Sequence, residues 1–359
     1  MADNVGTYDI SSLFQARFAA QSAAEFGFDN INDIFAQQLA FWNGDVTAAL
    51  SALAMQTVER QGITGSSTSV RGVEVDEYGR GRTKKDAPGS TVAAPLDRLV
   101  YPLGKTSMWL LNATVQDIGQ YFQSVQAAHL RDLRQRMKVS IYTSVNRAYA
   151  DLNIDDVSLS IKAFLNADGS AIPDSPQDGA SFNPATHDHY LAEAALSATG
   201  LQSLITTVAE HSVSADLVTV INRADVAAFS ALSGFIPAAN QRIQVFRNNS
   251  DPDVPFIRDD RTRTSDKYIG SFDISDVWVK PWGIADYPFC YDANAPKPLM
   301  YRQHKSGIAQ GLRQKQVFMY DPLTVDFFET YFGFGVMTRT NGAVLYTAGG
   351  AYVDPTITG

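Results

Sequence analysis

The chain has a single cysteine, Cys290, which excludes an internal disulfide framework and a cysteine-based zinc cluster and points to a reducing compartment where it folds. It lacks any apolar run approaching the roughly 20 residues that span a bilayer. Its opening, MADNVGTYDI, lacks the basic-then-apolar order of a secretory signal. Both absences read as a soluble protein that is not exported by a cleaved leader. Charge is sparse at 19%, while the hydrophobic share of 45% is ordinary for a globular protein. The 29 Lys and Arg against 38 Asp and Glu leave a net charge of −9, so the surface as a whole repels nucleic acid and a nucleic-acid role would need a local patch. No internal repeat, low-complexity tract or G-x-S-x-G nucleophile elbow occurs, and the carboxylates pair only in generic clusters such as Asp259 and Asp260.

What is present reads as separate runs of helix and strand in an α+β chain long enough, at 359 residues, for two domains or one domain with large excursions. Residues 8–55 carry Phe14, Phe18, Ile31, Ile34, Phe35, Leu39 and Trp42 mostly at steps of three and four, the spacing of an amphipathic helix, with Asn30 and Asn32 as caps. QGITGSSTS then breaks the pattern. Val73 and Val75 alternate with Glu74 and Asp76 as in a half-buried strand, and Thr91–Leu103 returns with prolines at 95 and 102, which restrict it to an edge or an isolated ribbon. Between these arms lies a tip, rich in glycine, with Arg80, Arg82, Lys84 and Lys85. A lone two-stranded ribbon is marginal in water, so this excursion needs a partner surface.

Thr114 and Asp117 form a capping-box-like start to the longest helix. Val115, Ile118, Phe122, Val125, His129, Leu133, Met137, Ile141 and Val145 mark one face, and the pattern runs to about Tyr149, roughly 50 Å. Beyond it the spacing predicts strands over 157–165 and 217–221 and helices over 200–210 and 225–232. Short strands follow between 245 and 322, with SDPDVPF as an intervening loop, and the aromatic end VDFFETYFGFGVMTRTNGAVLY reads as strand with Gly342 at a turn.

The chemistry-bearing residues are few. GKT at Gly104–Thr106 lacks the upstream glycine of a phosphate loop, since Leu99 stands there, and reads as a turn leading into the helix. His187 and His189 stand two apart and would share a face in a strand, with His211 or Glu210 as a further ligand. This opens a metal-dependent hydrolase as an alternative of another class, although hydrogen bonds that pin a loop explain the pair more simply. His129 reads as a hydrogen-bonded interface residue, and Cys290 as a small buried hydrophobe. No catalytic, cofactor-binding or metal residue is assigned. The cations of the tip have only Tyr78 as an aromatic neighbour, no stacking platform for bases, and fit charge pairing across a protein–protein contact.

The order of helical arm, long ribbon, spine helix, mixed domain and aromatic end resembles the major capsid proteins of tailed bacteriophages, the Hong Kong 97-type fold. WLLNATVQDIGQYF, FLNADGSAIP, ATHDHYL and YFGFGVMTRTNGAVLY carry the local likeness. The resemblance implies an N-terminal arm over 1–65 and an extended loop over 66–108 lying across a neighbouring subunit. It further implies a peripheral domain over 109–195 and 305–340, and an axial domain over 196–304 and 341–359. It implies a non-enzymatic shell subunit, assembled in the host cytoplasm into hexamers and pentamers of a virion that encloses double-stranded DNA held only weakly. An encapsulin-like bacterial compartment is the alternative within the same fold. Portal, decoration and scaffolding proteins are the implied partners, and no membrane is involved; the chain becomes amphipathic almost at once instead of opening with the long charged segment some members cleave, which suggests either a separate scaffolding protein or a sequence that lacks that segment. Some members weld the extended loop to a neighbour by a lysine–asparagine isopeptide bond; Lys84 and Lys85 lie in that region, but no asparagine partner is identified and no crosslink is expected. On this reading the ribbon and the amino-terminal helices have no home on their own molecule.

Overall fold

The computed structural model describes residues 21–64, 89–213, 215–238, 243–248, 251–259, 266–320 and 323–357. Helices α1 (Ala23–Phe26) and α2 (Phe28–Leu50) come first. Asn30 does not cap α2, which begins at Phe28; its side-chain amide instead donates to the Phe26 carbonyl at 2.8 Å. Next follow β1 (Ala54–Thr57), β2 (Gln61–Thr64), β3 (Ser90–Ala93), β4 (Asp97–Thr106), α3 (Ser107–Asn112) and α4 (Val115–Tyr142). Ile31, Ile34, Phe35 and Leu39 on α2 bury themselves against Val115, Ile118, Phe122 and Val125 on α4, and Phe35 stacks on Phe122 with ring centroids 4.4 Å apart. This corrects the expectation that the amino-terminal helices are held by other copies. From residue 23 to 50 the apolar face finds its match on the spine helix of its own chain.

The spine helix forms for the reasons legible in its sequence. Thr114 Oγ1 accepts from the Asp117 amide at 3.2 Å, and Asp117 Oδ2 accepts from the Thr114 amide at 3.0 Å, closing a reciprocal capping box. Its buried face runs Val115, Ile118, Phe122, Val125, His129, Leu133, Met137 and Ile141. It ends at Tyr142 rather than near Tyr149, because Ser144 is captured by Asp354, which accepts from its amide at 2.9 Å and its hydroxyl at 2.8 Å. Val145, expected on the buried face, is therefore 65% exposed. The chain continues into β5 (Arg147–Ala150), which pairs with β6 (Ser158–Ile161).

The remaining elements are β7 (Tyr190–Ala192), α5 (Ala198–Ala209), β8 (Leu217–Ile221), α6 (Val226–Ser230), β9 (Phe235–Pro237), β10 (Ile243–Asn248), β11 (Asp251–Asp259), β12 (Lys267–Phe272), β13 (Ser275–Val279), β14 (Phe289–Asp292), β15 (Leu299–Gln303), β16 (Arg313–Tyr320), β17 (Leu323–Val336) and β18 (Ala343–Tyr346). SDPDVPF is not a loop: residues 251–259 form β11, antiparallel to β10. Two larger sheets carry the molecule. A seven-stranded sheet runs β7-β18-β14-β8-β13-β12-β9, and a five-stranded sheet runs β1-β15-β17-β16 with β4 added along β17. Among the described residues β4 pairs only with β17, so Pro102 lies on an edge strand, where its missing N–H is tolerated. Gly104–Thr106 is extended strand at the end of β4, neither the expected turn nor a phosphate cradle.

Helix α5 covers one face of the seven-stranded sheet through Leu201, Leu204, Ile205 and Val208. The carboxyl half of α4 joins both sheets: Leu133, Met137 and Ile141 share one core with Phe289 and Val344 of the first and Tyr301, Phe332 and Phe334 of the second. Gly333 and Gly335 of β17 lie under the return arm of the ribbon, where any Cβ would collide with the carbonyls of Pro95 and Ala93. The arm is held there by Arg302 of β15, fully buried, which donates to the Ala94 carbonyl at 2.9 Å and pairs with Asp151 at 2.7 Å.

Removing one partner of such a pair leaves a buried charge uncompensated. Asp151→Ala is expected to lower stability by about 3–5 kcal/mol in urea unfolding of the unassembled chain, whereas Asp151→Ala combined with Arg302→Met should lose much less. Equal losses in the two variants would show that the charge is not what Asp151 compensates.

Candidate functional site

The four cations assigned to a subunit contact, Arg80, Arg82, Lys84 and Lys85, lie outside the described residues. What is described is the strand pair on either side of the segment that carries them, its root. Strands β2 and β3 pair from Gln61–Ala93 to Thr64–Ser90. Just past β3, the Leu96 amide donates to the Tyr149 hydroxyl at 3.2 Å, and the Leu96 carbonyl accepts from the Asn153 side chain at 2.6 Å. Arg60 makes a two-nitrogen contact with Asp155 at 3.0 Å on the surface. The root is thus fastened on its inner side, while Ile63 beside it is 73% exposed.

Alongside the root, β4, β16 and β17 gather cations about one buried carboxylate. Glu329 is fully buried; Arg98 donates to it at 2.9 Å, Arg313 bonds its other oxygen, and Lys315 stands 3.8 Å away. Burial alone would raise the pKa of Glu329, but the hydrogen bond from Arg98 and the charges of Arg313 and Lys315 outweigh it and hold the group below its ordinary value. Three cations on one anion leave a local positive excess on an otherwise acidic protein.

The three histidines named as ligands of the hydrolase alternative, His187, His189 and His211, meet at one point. His187 and His189 precede β7, and His211 follows the last turn of α5. His187 Nε2 lies 3.1 Å from His189 Nε2 and 2.9 Å from His211 Nε2, with Glu210 Oε1 3.5 Å from the first and 3.9 Å from the third. His189 is fully buried and its Nδ1 donates to the Gly342 carbonyl at 2.7 Å. The Phe182 ring lies over His187 and His211, with centroids 4.7 and 4.4 Å away. Burial lowers the pKa of all three imidazoles, that of His211 to about 3. The sequence reading had named His187, His189, His211 and Glu210 but missed Phe182 and the Gly342 carbonyl, for which no local signal exists.

His129 is not an interface residue: it is buried inside its own chain, where Nδ1 accepts from the Trp42 indole at 3.0 Å. The rings of Tyr101 and Phe332 close around it edge-on. Cys290 is buried as read, and burial pushes its thiol up to about 12, far from reactivity.

No protein-family model matches the chain, and no curated protein does. Solved structures do. A chain of Mycobacterium phage Patience is 20% identical, with a TM-score of 0.65 over 90% of each chain. The capsid of an empty GTA particle is 14% identical over 84% of this chain and 90% of its own, with a TM-score of 0.47. The encapsulin complex of Synechococcus elongatus is 10% identical over 83% and 86%, with a TM-score of 0.42. The chain has the Hong Kong 97-type fold, α+β with its long helix.

Burial holds the His129 imidazole down from 6.5 to about 4. Above pH 6.5 it is neutral in both folded and unfolded chains; as pH falls from 6.5 toward 4, the unfolded chain takes up a proton that the folded one does not. Stability should therefore fall across that window, with a contribution of up to about 3 kcal/mol from this residue. His129→Gln keeps an acceptor for Trp42 and should flatten that part of the profile in urea unfolding between pH 7 and 4; an unchanged slope would show that His129 charges freely in the folded chain.

Proposed function

We propose that the chain is a major capsid protein that self-assembles into the icosahedral head of a tailed double-stranded DNA bacteriophage, a structural component of the virion without enzymatic activity. The observation that carries this reading is the likeness to the Patience chain over nine-tenths of both lengths, joined to a spine helix and a ribbon root in one chain. Its partners are further copies of itself in hexamers and pentamers, with a scaffolding protein, a portal and a decoration protein as the outside contacts.

The two sheets support the division into domains. Helix α4 with the five-stranded sheet corresponds to the peripheral domain, and the seven-stranded sheet with α5 to the axial domain. Because β7 pairs in the seven-stranded sheet and β15 in the five-stranded one, the working boundaries fall just before Tyr190 and just before Leu299. Of the expected extended loop over 66–108, Asp97–Thr106 belong to β4 of the five-stranded sheet, so the loop ends before Asp97. Its root is fastened to its own body, and its basic tip reaches acidic surface on the next subunit. Arg80, Arg82, Lys84 and Lys85 supply the charge for that contact.

The net charge of −9 suits a container, since extensive phosphate neutralisation would bind the packaged genome and oppose its release. Exposed Ile63, Met108 and Ile308 offer apolar contacts that a monomer leaves in water. An encapsulin-like compartment is the second reading within this fold; particles purified from cells carry DNA in one case and a protein cargo in the other.

Electron microscopy of the purified chain, alone or with its scaffold, should reveal closed shells or capsomers; a monomer under every condition would overturn the reading. Replacing Arg80, Arg82, Lys84 and Lys85 with Ser should leave subunit folding intact and lower the melting temperature of the assembled shell, most at low salt. Shell melting that is unchanged at both low and high salt would remove the charge-pairing role of the tip.

A further inference from the structure

Three of the chain's five histidines converge at one point, and they come from two segments separated in sequence. Hydrogen bonding alone does not satisfy them. The Gly342 carbonyl can only accept, so His189 carries its proton on Nδ1 and presents a lone pair at Nε2. His187 Nε2 faces that lone pair and also His211 Nε2, both within hydrogen-bond distance. A neutral His187 has at most one proton at that nitrogen and cannot donate fully to both. If His211 donates instead, two lone pairs confront one another across 3.1 Å. A cation at the centre removes this conflict, because it accepts all three lone pairs at once.

The dimensions suit a small tetrahedral ion. Zinc bound at about 2.0–2.1 Å sets its ligand atoms about 3.3 Å apart. The nitrogen pairs at 2.9 and 3.1 Å and the nearest carboxylate oxygen at 3.5 Å lie around that edge, and all four ligand atoms fall within 4.8 Å of one another. Glu210 and His211 also stand at the carboxyl end of α5, where the helix dipole favours positive charge. The His189 Nδ1–Gly342 hydrogen bond is the outer-shell contact that orients a ligating imidazole.

We propose that His187, His189, Glu210 and His211 form a structural zinc site that fastens the segment before β7 to the end of α5. Three imidazoles and a carboxylate are a donor set that zinc accepts, and no thiolate is present to select a softer ion. The protein supplies four ligands, so the tetrahedron is closed. The fourth position that a hydrolytic zinc keeps for water is taken by Glu210. Phe182 roofs two of the rings and limits solvent access. The ion therefore acts as a staple rather than a catalyst. It anchors the loop carrying Phe182 and His187 to the helix that covers the seven-stranded sheet. This inference does not depend on the shell reading.

The test uses the full-length chain, stripped with a chelator, dialysed and titrated with zinc chloride against a chromophoric competitor. About one equivalent should bind per chain, and zinc should raise the melting temperature. Cobalt in its place should give the intense visible bands of four-coordinate geometry. His187→Asn and His211→Asn should each weaken zinc binding by about 100-fold or more and abolish the thermal shift. His304→Asn, outside the cluster, should change neither. Glu210→Gln, at a partly exposed position, is the variant to use if the histidine changes impair folding, and should weaken binding and alter the cobalt spectrum. A folded wild-type chain that takes up no zinc, or that binds it equally well after His187→Asn or Glu210→Gln, overturns the proposal.

Discussion

One apolar stripe, from Val115 to Ile141 along α4, is the constraint on which the remaining structure depends. Its amino half packs on α2 and Phe328, while its carboxyl half belongs to the core that joins both sheets. Each fully buried side chain of this kind contributes about 1.5–3 kcal/mol relative to exposure. Packing along this one face accounts for most of the stability of a helix of 28 residues. His129 sits where the two halves meet, between Val125 of one cluster and Leu133 of the other. Trp42 supplies a donor to its Nδ1 and aromatic rings surround it, while its Nε2 has no hydrogen-bond partner.

Two buried arginines tie separate elements together. Arg302 links β15, the ribbon arm and the segment after β5. Arg339 donates to the carbonyls of Ala163 and Phe164 and pairs with Asp168, joining the turn after β17 to the segment after β6. Burial alone would raise the Asp168 pKa, yet the hydrogen bonds from Lys162 and Ser170 and the charge of Arg339 hold it well below the ordinary carboxylate range. Hydrophobic packing tolerates small shifts in register, whereas a buried guanidinium satisfied by named carbonyls does not. These contacts therefore specify how the sheets and loops meet more than they add to net stability.

The same division explains what could be read in advance. The face of α4, its capping box and strand β8 depend on residues within a few positions of each other, and the spacing reported them correctly. The end of α4 did not follow from spacing, because Val145 continues the stripe while the residue that stops the helix, Asp354, is far along the chain. Strand β11 looked like a loop because Pro252 and Pro255 interrupt it, and only its pairing with β10 makes it a strand. The histidine cluster was half legible: the i, i+2 pair is local, but its meeting with His211 depends on where α5 ends against the chain. The docking of α2 was misjudged for the opposite reason. An amphipathic face shows that a helix is buried, and not whether the covering surface belongs to its own molecule.

That docking changes where adaptability has to reside. Identical subunits in a closed shell occupy slightly different settings and need some segments that adjust while others stay rigid. With residues 23–50 committed to α4 and buried guanidinium contacts made by Arg302 and Arg339, the two larger sheets and the helices packed on them are a poor place for adjustment. Two features remain. One is the segment between β2 and β3, expected from the sequence to be a ribbon and outside the described residues; the other is the β10–β11 hairpin, which among the described residues pairs only within itself. A two-stranded ribbon is marginal in water without a covering surface. On the shell reading, the β10–β11 hairpin would gain that surface from a neighbouring subunit, and its ordering would then be coupled to assembly.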